Sequence, residues 1–242
     1  AAASSYKAGT TVSSAKVGGA EHHVVAVIGC TGKTGMHVVD FLLEHEGVRV
    51  IAIGRSMEKL TKMHGEKKGV ELRVADVTSP ETIKVALAGC DAVVTATGFV
   101  LGEGSPPPYV ATATSVIEGM RHHKIRKLAF MGSVAVQQEG EPCSCNICCM
   151  SCIARYLMCM GSVLDDQEAA FHKVIQPCDD IDWVYVRPGD LLDGPATDRD
   201  FAVGSMNEVD VKPITRADVA RFLVTQVFDN SNVHTAKCVT LA

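Results

Sequence analysis

His23-Val24-Val25-Ala26-Val27-Ile28-Gly29-Cys30-Thr31-Gly32-Lys33-Thr34-Gly35 is the stretch on which the fold turns. HVVAVIG (23–29) is a short apolar run with β-branched side chains, the pattern of a strand buried on both faces. Residues 33–46 follow with Val38, Val39, Phe41, Leu42 and Leu43 at helical spacing. Between strand and helix, Gly29 can take a tight turn, Gly32 removes a side chain where backbone must approach a phosphate, and Gly35 lets helix and strand pack closely. The amides around Thr31, Lys33 and Thr34, helped by the helix dipole, then face an anion. A glycine triplet alone is a weak signal. Placed after an apolar strand and before an amphipathic helix, it is a strong sign of a dinucleotide's pyrophosphate. A phosphate-binding P-loop would need GxxxxGK[ST], which this loop does not match.

Outward from this unit, strand and helix alternate. Strands are predicted at 48–54 (VRVIAIG), 70–77 (VELRVADV), 91–98 (DAVVTATG), 127–133 (KLAFMGS), 181–189 (IDWVYVRPG) and 238–242. Helices are predicted at 56–63, 79–89, 109–123, 163–176 and 217–229, and the GEGSPPP stretch at 102–108 must be loop. Alternation of this kind implies a parallel sheet covered on both faces, with right-handed crossovers. The expected class is therefore α/β, a doubly wound parallel sheet (Rossmann fold). It forms one domain over residues 22–242, interrupted by a Cys-rich insert at about 138–160.

Composition narrows the function classes. The chain has 242 residues and 47% hydrophobic content, enough for one sizeable core. Its formal charge is -5 with no basic stripe, so neither nucleic acid nor an anionic membrane is an expected partner. Apolar runs stay well short of the ~20 residues a spanning helix needs. Residues 1–21 read as a flexible tail. The first twenty carry Lys7 and Lys16 and no acid, a composition expected beside a cleaved transit peptide of a plastid or mitochondrion, with a cytoplasmic chain as the alternative.

Candidate site residues lie where the strands end, because ligands of open α/β sheets bind beyond the carboxyl ends. After the second strand stands Arg55, where an acid would hold the ribose 2′-hydroxyl of NAD. A guanidinium suits a 2′-phosphate instead, so the expected cofactor is NADPH, with Ser56 able to donate a further hydrogen bond. Asp76 and Val77 end the third strand. Asp76 either meets the adenine amino group or caps the helix starting near Ser79. Thr97 and Gly98 end the fourth strand and leave room for the middle of the cofactor.

GCTGKTG, GRS, ADV, TATG, a strand ending MGS and another ending VRPGDLLDG together resemble the atypical short-chain dehydrogenase/reductases. The chain is most similar to the NAD(P)H-binding NmrA-like group that includes the flavin reductase/biliverdin-IXβ reductase family. PITRADVARFLV (213–224) is similar to that group's late helix. The resemblance implies a reductase that moves hydride from NADPH to a flavin, tetrapyrrole or quinone-like small molecule. It would place Ser133 beside the nicotinamide and substrate, Pro188 and Gly189 along the nicotinamide pocket, and His172 on a helix near the active site. Ser133 and His172 are then the catalytic candidates. Ser133 read alone is a strand-end serine, and His172 a helix-surface histidine.

The departures bear on mechanism. Conventional members use a Tyr-x-x-x-Lys pair as acid. Here Tyr156 is followed four residues later by Met160, and Tyr109 by Ala113, while Asp190 stands where the flavin reductase family has a histidine. Hydride transfer driven by positioning fits such a chain, and so does a non-catalytic NADPH-binding accessory subunit or a redox sensor. Ten cysteines occur, six of them from Cys143 to Cys159. Their CxC and CxxC spacings admit a metal, a redox thiol, or packing and docking of other protein subunits, and no residue is assigned as a metal ligand.

Overall fold

Runs of Val, Ile and Ala too short for buried helices form the centre of the sheet. The computed structural model describes residues 4–6, 23–98, 108–138, 141, 161–197, 200–206, 208–228 and 237–241. The strands are β1 (Ser4–Tyr6), β2 (His23–Ile28), β3 (Val48–Gly54), β4 (Val70–Val74), β5 (Ala92–Thr95), β6 (Lys127–Met131), β7 (Asp182–Pro188), β8 (Leu191–Leu192), β9 (Phe201–Gly204), β10 (Ile214–Thr215) and β11 (Lys237–Leu241). The helices are α1 (Lys33–Leu43), α2 (Met57–His64), α3 (Pro80–Ala86), α4 (Tyr109–His123), α5 (Gly161–Ala169) and α6 (Arg216–Phe228).

The main sheet runs β1-β9-β11-β7-β6-β5-β2-β3-β4, and the seven strands from β11 to β4 are mutually parallel. Strand order reverses between β2 and β5, which share a register from Val25 beside Ala92 to Ile28 beside Thr95. This is the doubly wound order with its switch point at the glycine loop, where such sheets open a crevice for ligands.

Alternation along β2 divides the core. Val24, Ala26 and Ile28 join a layer with Ile83, Val116, Met120, Phe171 and Trp183, under α3, α4 and the segment after α5. Val25 and Val27 point to the other layer, with Val38, Val39, Leu42, Leu60, Phe222 and Leu223 from α1, α2 and α6. Both layers are apolar packing, so the parallel strands are buried on both sides, as their sequences require.

Four short strands go beyond the sequence pattern. β8 and β10 pair in a separate two-stranded sheet, and β9 runs antiparallel to β11. Ser4–Tyr6 lies within the segment read as a flexible tail, yet it pairs antiparallel with Phe201–Val203 as the edge strand β1. The rest of that segment, 1–3 and 7–21, lies outside the described residues, as does the Cys-rich stretch 142–160. The helix expected at 163–176 is α-helical only to Ala169 and continues as a π-helical turn, Ala170–Ile175. Among the described residues no helix is long and apolar enough to cross a membrane.

Candidate functional site

The glycine loop is built by close approach. Gly29 has φ +82°, and a Cβ there would lie 2.8–2.9 Å from the backbone of Ala96 and Thr97 at the end of β5. A Cβ on Gly35 would lie 2.7 Å from the Gly29 carbonyl carbon and 2.9 Å from Cys30 Cα. Both glycines are therefore required for strand, loop and helix to touch. Gly32 is different. It is exposed, its N–H donates to Gly29 O at 2.9 Å, and an added Cβ would meet only that oxygen, at 3.3 Å.

Helix α1 begins at Lys33 with Gly32 as its cap residue, no side-chain cap and no acid in its first turn. Its neighbours differ. Ser56 caps α2 by accepting from Lys59 N, and Ser79 caps α3 by accepting from Thr82 N. Helices normally satisfy their first amides with such side chains. An eleven-residue helix that omits the cap at a glycine cradle is suited to an external anion. Thr31 is half-buried, Thr34 and Gly35 are buried, and Lys33 is exposed with its Nζ 3.6 Å from Asp193. Asp193 also accepts from Arg216 at the start of α6.

Arg55 is exposed at the end of β3. Ser56 uses its oxygen as the α2 cap, which leaves its hydroxyl proton for another acceptor. Asp76 is exposed, and its Oδ1 accepts from both the amide and the hydroxyl of Thr78 at 2.9 and 2.8 Å. Those two bonds, with Arg55 nearby, hold its carboxyl below the usual aspartate range. The cap of α3 is Ser79 rather than Asp76. Val77 is half-buried against the core, Gly98 is exposed, and Thr97 has a buried hydroxyl oxygen with no partner among the described residues.

On the other side of the switch point, Ser133 follows β6 and accepts from Ala135 N at 3.2 Å in a tight turn. Pro188 and Gly189 are buried at the end of β7. Gly189 is needed there for the chain itself, since a Cβ would lie 3.1 Å from Val211 Cγ1 and from the Lys212 carbonyl carbon. Because the strands are parallel, these residues share one edge of the sheet. His172 does not belong to that row. It is exposed on the π-helical turn, with Nδ1 2.9 Å from Gln176 Oε1 and Nε2 2.8 Å from Gln137 O. Both ring nitrogens are occupied in a clasp to the loop after β6.

Three features have little signature in the sequence. Gly132 faces Tyr185 so closely that a Cβ would enter its ring. Arg187, wholly buried within β7, makes a bidentate ion pair with Glu141 at 2.6 and 2.7 Å and donates to Val136 O. His64, at the end of α2, meets Cys30 O at 2.9 Å. An arginine inside an apolar strand signals a carboxylate partner, but the sequence does not say which one. Cys30 is a structural thiol: it donates to Ile53 O at 3.4 Å, and burial pushes its pKa up to about 12.

A family model described as NAD(P)H-binding matches residues 29–230. No curated protein matches the chain's sequence. Solved structures share the fold. A protein described as an NAD-dependent epimerase/dehydratase, from Bacillus halodurans, superposes with a TM-score of 0.70 at 21% identity, covering 90% of this chain and 93% of its own. The oxidoreductase YlbE of Lactococcus lactis gives 0.70 at 17% identity, covering 90% of each chain. ChuY of Escherichia coli, an anaerobillin reductase, gives 0.69 at 19% identity, covering 90% of this chain and 96% of its own.

Proposed function

The chain belongs to the NAD(P)H-binding family, whose model matches residues 29–230, and from that premise we propose that it is an NADPH-dependent reductase of the atypical short-chain dehydrogenase/reductase kind. The proposed acceptor is a flavin, a tetrapyrrole or a quinone-like ring. The observation that carries the reading is the cradle: Gly29 and Gly35 leave no space for a Cβ, and α1 opens behind them without a side-chain cap. Residues around Thr31, Gly32, Lys33 and Thr34 would hold the pyrophosphate with backbone amides. Arg55 and the Ser56 hydroxyl would hold the 2′-phosphate, and Asp76 and Val77 the adenine end. Thr97, Gly98, Pro188 and Gly189 would line the path to the nicotinamide.

When bound, the dinucleotide supplies hydride. The protein's part would be orientation: residues at the sheet edge would hold the ring, and Ser133 at the end of β6 would lie beside it. Ser133 Oγ accepts from Ala135 N, so its own proton remains available to a substrate atom. A conjugated acceptor needs no stronger acid, so positioning supplies most of the rate. An anaerobillin reductase of Escherichia coli shares the fold at 19% identity, which is in keeping with a small-molecule acceptor.

A second reading rests on His172. With both of its ring nitrogens engaged, the side chain has no atom left for a substrate, and a protein that holds NADPH as an accessory subunit or sensor fits that arrangement. Following NADPH oxidation with flavin and quinone acceptors separates the two. Acceptor-dependent oxidation that falls in Ser133→Ala supports the reductase; tight NADPH binding with no oxidation by any acceptor supports the subunit. Failure to bind either dinucleotide removes both.

A further inference from the structure

The glycine loop is held from beneath by a side chain from a different crossover. Cys30 is pinned at two atoms: its thiol donates to Ile53 O at the end of β3, and its carbonyl meets His64 Nε2 at 2.9 Å. A carbonyl only accepts, so His64 carries its proton on Nε2. The imidazole is 1% exposed, and its Nδ1 has no partner among the described residues. Burial holds this histidine below its ordinary titration range, against the bond to the Cys30 backbone; Lys67 adds to the lowering and Asp40 opposes it. Lys67 and Asp40 pair with each other, joining the turn after α2 to α1.

The placement matters more than the single bond. Cys30 follows Gly29 directly and precedes Thr31 and Gly32, so rotation of its peptide plane would turn the next amide away from the anion. α2 spans eight residues, about 12 Å. It opens at the Ser56 cap beside Arg55 and ends at His64 under the loop. A buried polar contact of this kind costs free energy if broken and left unpaired, so it resists that rotation.

Resting on the dinucleotide reading above, we propose that His64 is a positioning residue: its Nε2–H fixes the Cys30 carbonyl and so presets the loop amides toward the pyrophosphate before the nucleotide arrives. The side-chain amide of Gln can place a donor where Nε2 lies, whereas Asn is too short and Leu has none.

The test compares His64→Gln, His64→Asn and His64→Leu with the parent protein. NADPH affinity is read by calorimetry, nucleotide-free melting temperature by scanning, and affinity for adenosine 2′-monophosphate, which lacks a pyrophosphate, by ligand-observed NMR. Loss of one such hydrogen bond predicts NADPH binding weaker on the order of tenfold in the Asn and Leu variants. Affinity in the Gln variant should return to within about threefold, and adenosine 2′-monophosphate should bind all four proteins alike. Asn and Leu variants that bind NADPH like the parent overturn the inference. So does a Gln variant as weak as Asn, which would reduce His64 to filling space. If the Leu variant does not fold, the Gln-against-Asn comparison decides in the same way. A parent protein that binds no dinucleotide fails at the earlier step, in the function itself.

Discussion

Two glycines of one loop separate folding from binding. At Gly35 an added methyl would meet backbone atoms at 2.7 and 2.9 Å, which have no rotamer to move to. Overpacking of that kind costs about 1–3 kcal/mol, so Gly35→Ala should lower the melting temperature and abolish NADPH binding together. At Gly32 the methyl would meet one oxygen at 3.3 Å and otherwise open space. Gly32→Ala should melt near the parent value yet bind NADPH more weakly, because on the proposed reading the methyl would stand where the pyrophosphate approaches. Melting curves and NADPH titrations of both variants check this; equal losses of stability would mean that Gly32 serves the fold alone. Arg55→Asp addresses the cofactor's identity. Losing a charge-assisted bond to the 2′-phosphate costs roughly 1.5–3 kcal/mol, on the order of ten- to a hundredfold in Kd. The variant should prefer NADH, and an unchanged preference would remove Arg55 from the site.

Elements differ in how they are held, and one ion pair holds several. Glu141 accepts from Arg187, from Gln138 N at 2.8 Å and from Met206 N at 3.3 Å, joining the edge of the Cys-rich insert to β7 and to the turn after β9. Burial alone would raise the Glu141 pKa, but the Arg187 bonds and the two amides outweigh it and hold the carboxyl below its ordinary value. A depressed folded-state pKa stabilises the native state above the unfolded carboxylate pKa. That stability is lost as pH falls through the lower folded-state value. Acid titration of the parent should therefore show loss of stability beginning below about pH 4.3. Glu141→Gln should lack this component and start about 3–5 kcal/mol less stable at neutral pH, because the buried Arg187 loses the charge of Glu141. An unshifted acid transition in the variant would contradict the assignment.

The same scale shows what was legible in the sequence. β2, β3, β5, β6 and β7 announce themselves because a strand buried on both faces must be a continuous apolar run, and Gly and Pro mark their ends. β8 and β10 have two residues each, and β9 has four. They are too short for any period, and their pairing is non-local. β1 is three residues inside a Ser- and Ala-rich stretch whose partner lies nearly two hundred residues away. The cradle was legible because glycine spacing reports backbone approach. His64 was not, since a polar residue in the last turn of an amphipathic helix reads as surface. Glu141 was hidden similarly: Arg187 demands a partner, but sequence does not say that a loop 46 residues earlier supplies it.

Across the whole molecule, the site is favourable only locally. The formal charge is -5, so the long-range field opposes an anionic dinucleotide, and attraction would have to come from Arg55 and the opening of α1, since Lys33 and Arg216 both lie against Asp193. The glycine loop lies at the switch point between β2 and β5, so a ligand held there would bind the native state and find no equivalent in the unfolded chain. A ligand at a hundred times its Kd then adds about 2.7 kcal/mol of stability. In a chain of 242 residues, each kcal/mol moves the melting temperature by roughly 2–4 °C. NADP at saturating concentration should thus raise the melting temperature by roughly 5–10 °C. NAD at the same concentration, bound ten- to a hundredfold more weakly by the Arg55 argument, should raise it by less than about 5 °C. Arg55 is exposed, so its share is screened by salt, and the gap between the two nucleotides should narrow as ionic strength rises. Equal shifts at low salt would eliminate the 2′-phosphate pocket, and no shift with either nucleotide would eliminate the cradle as a dinucleotide site.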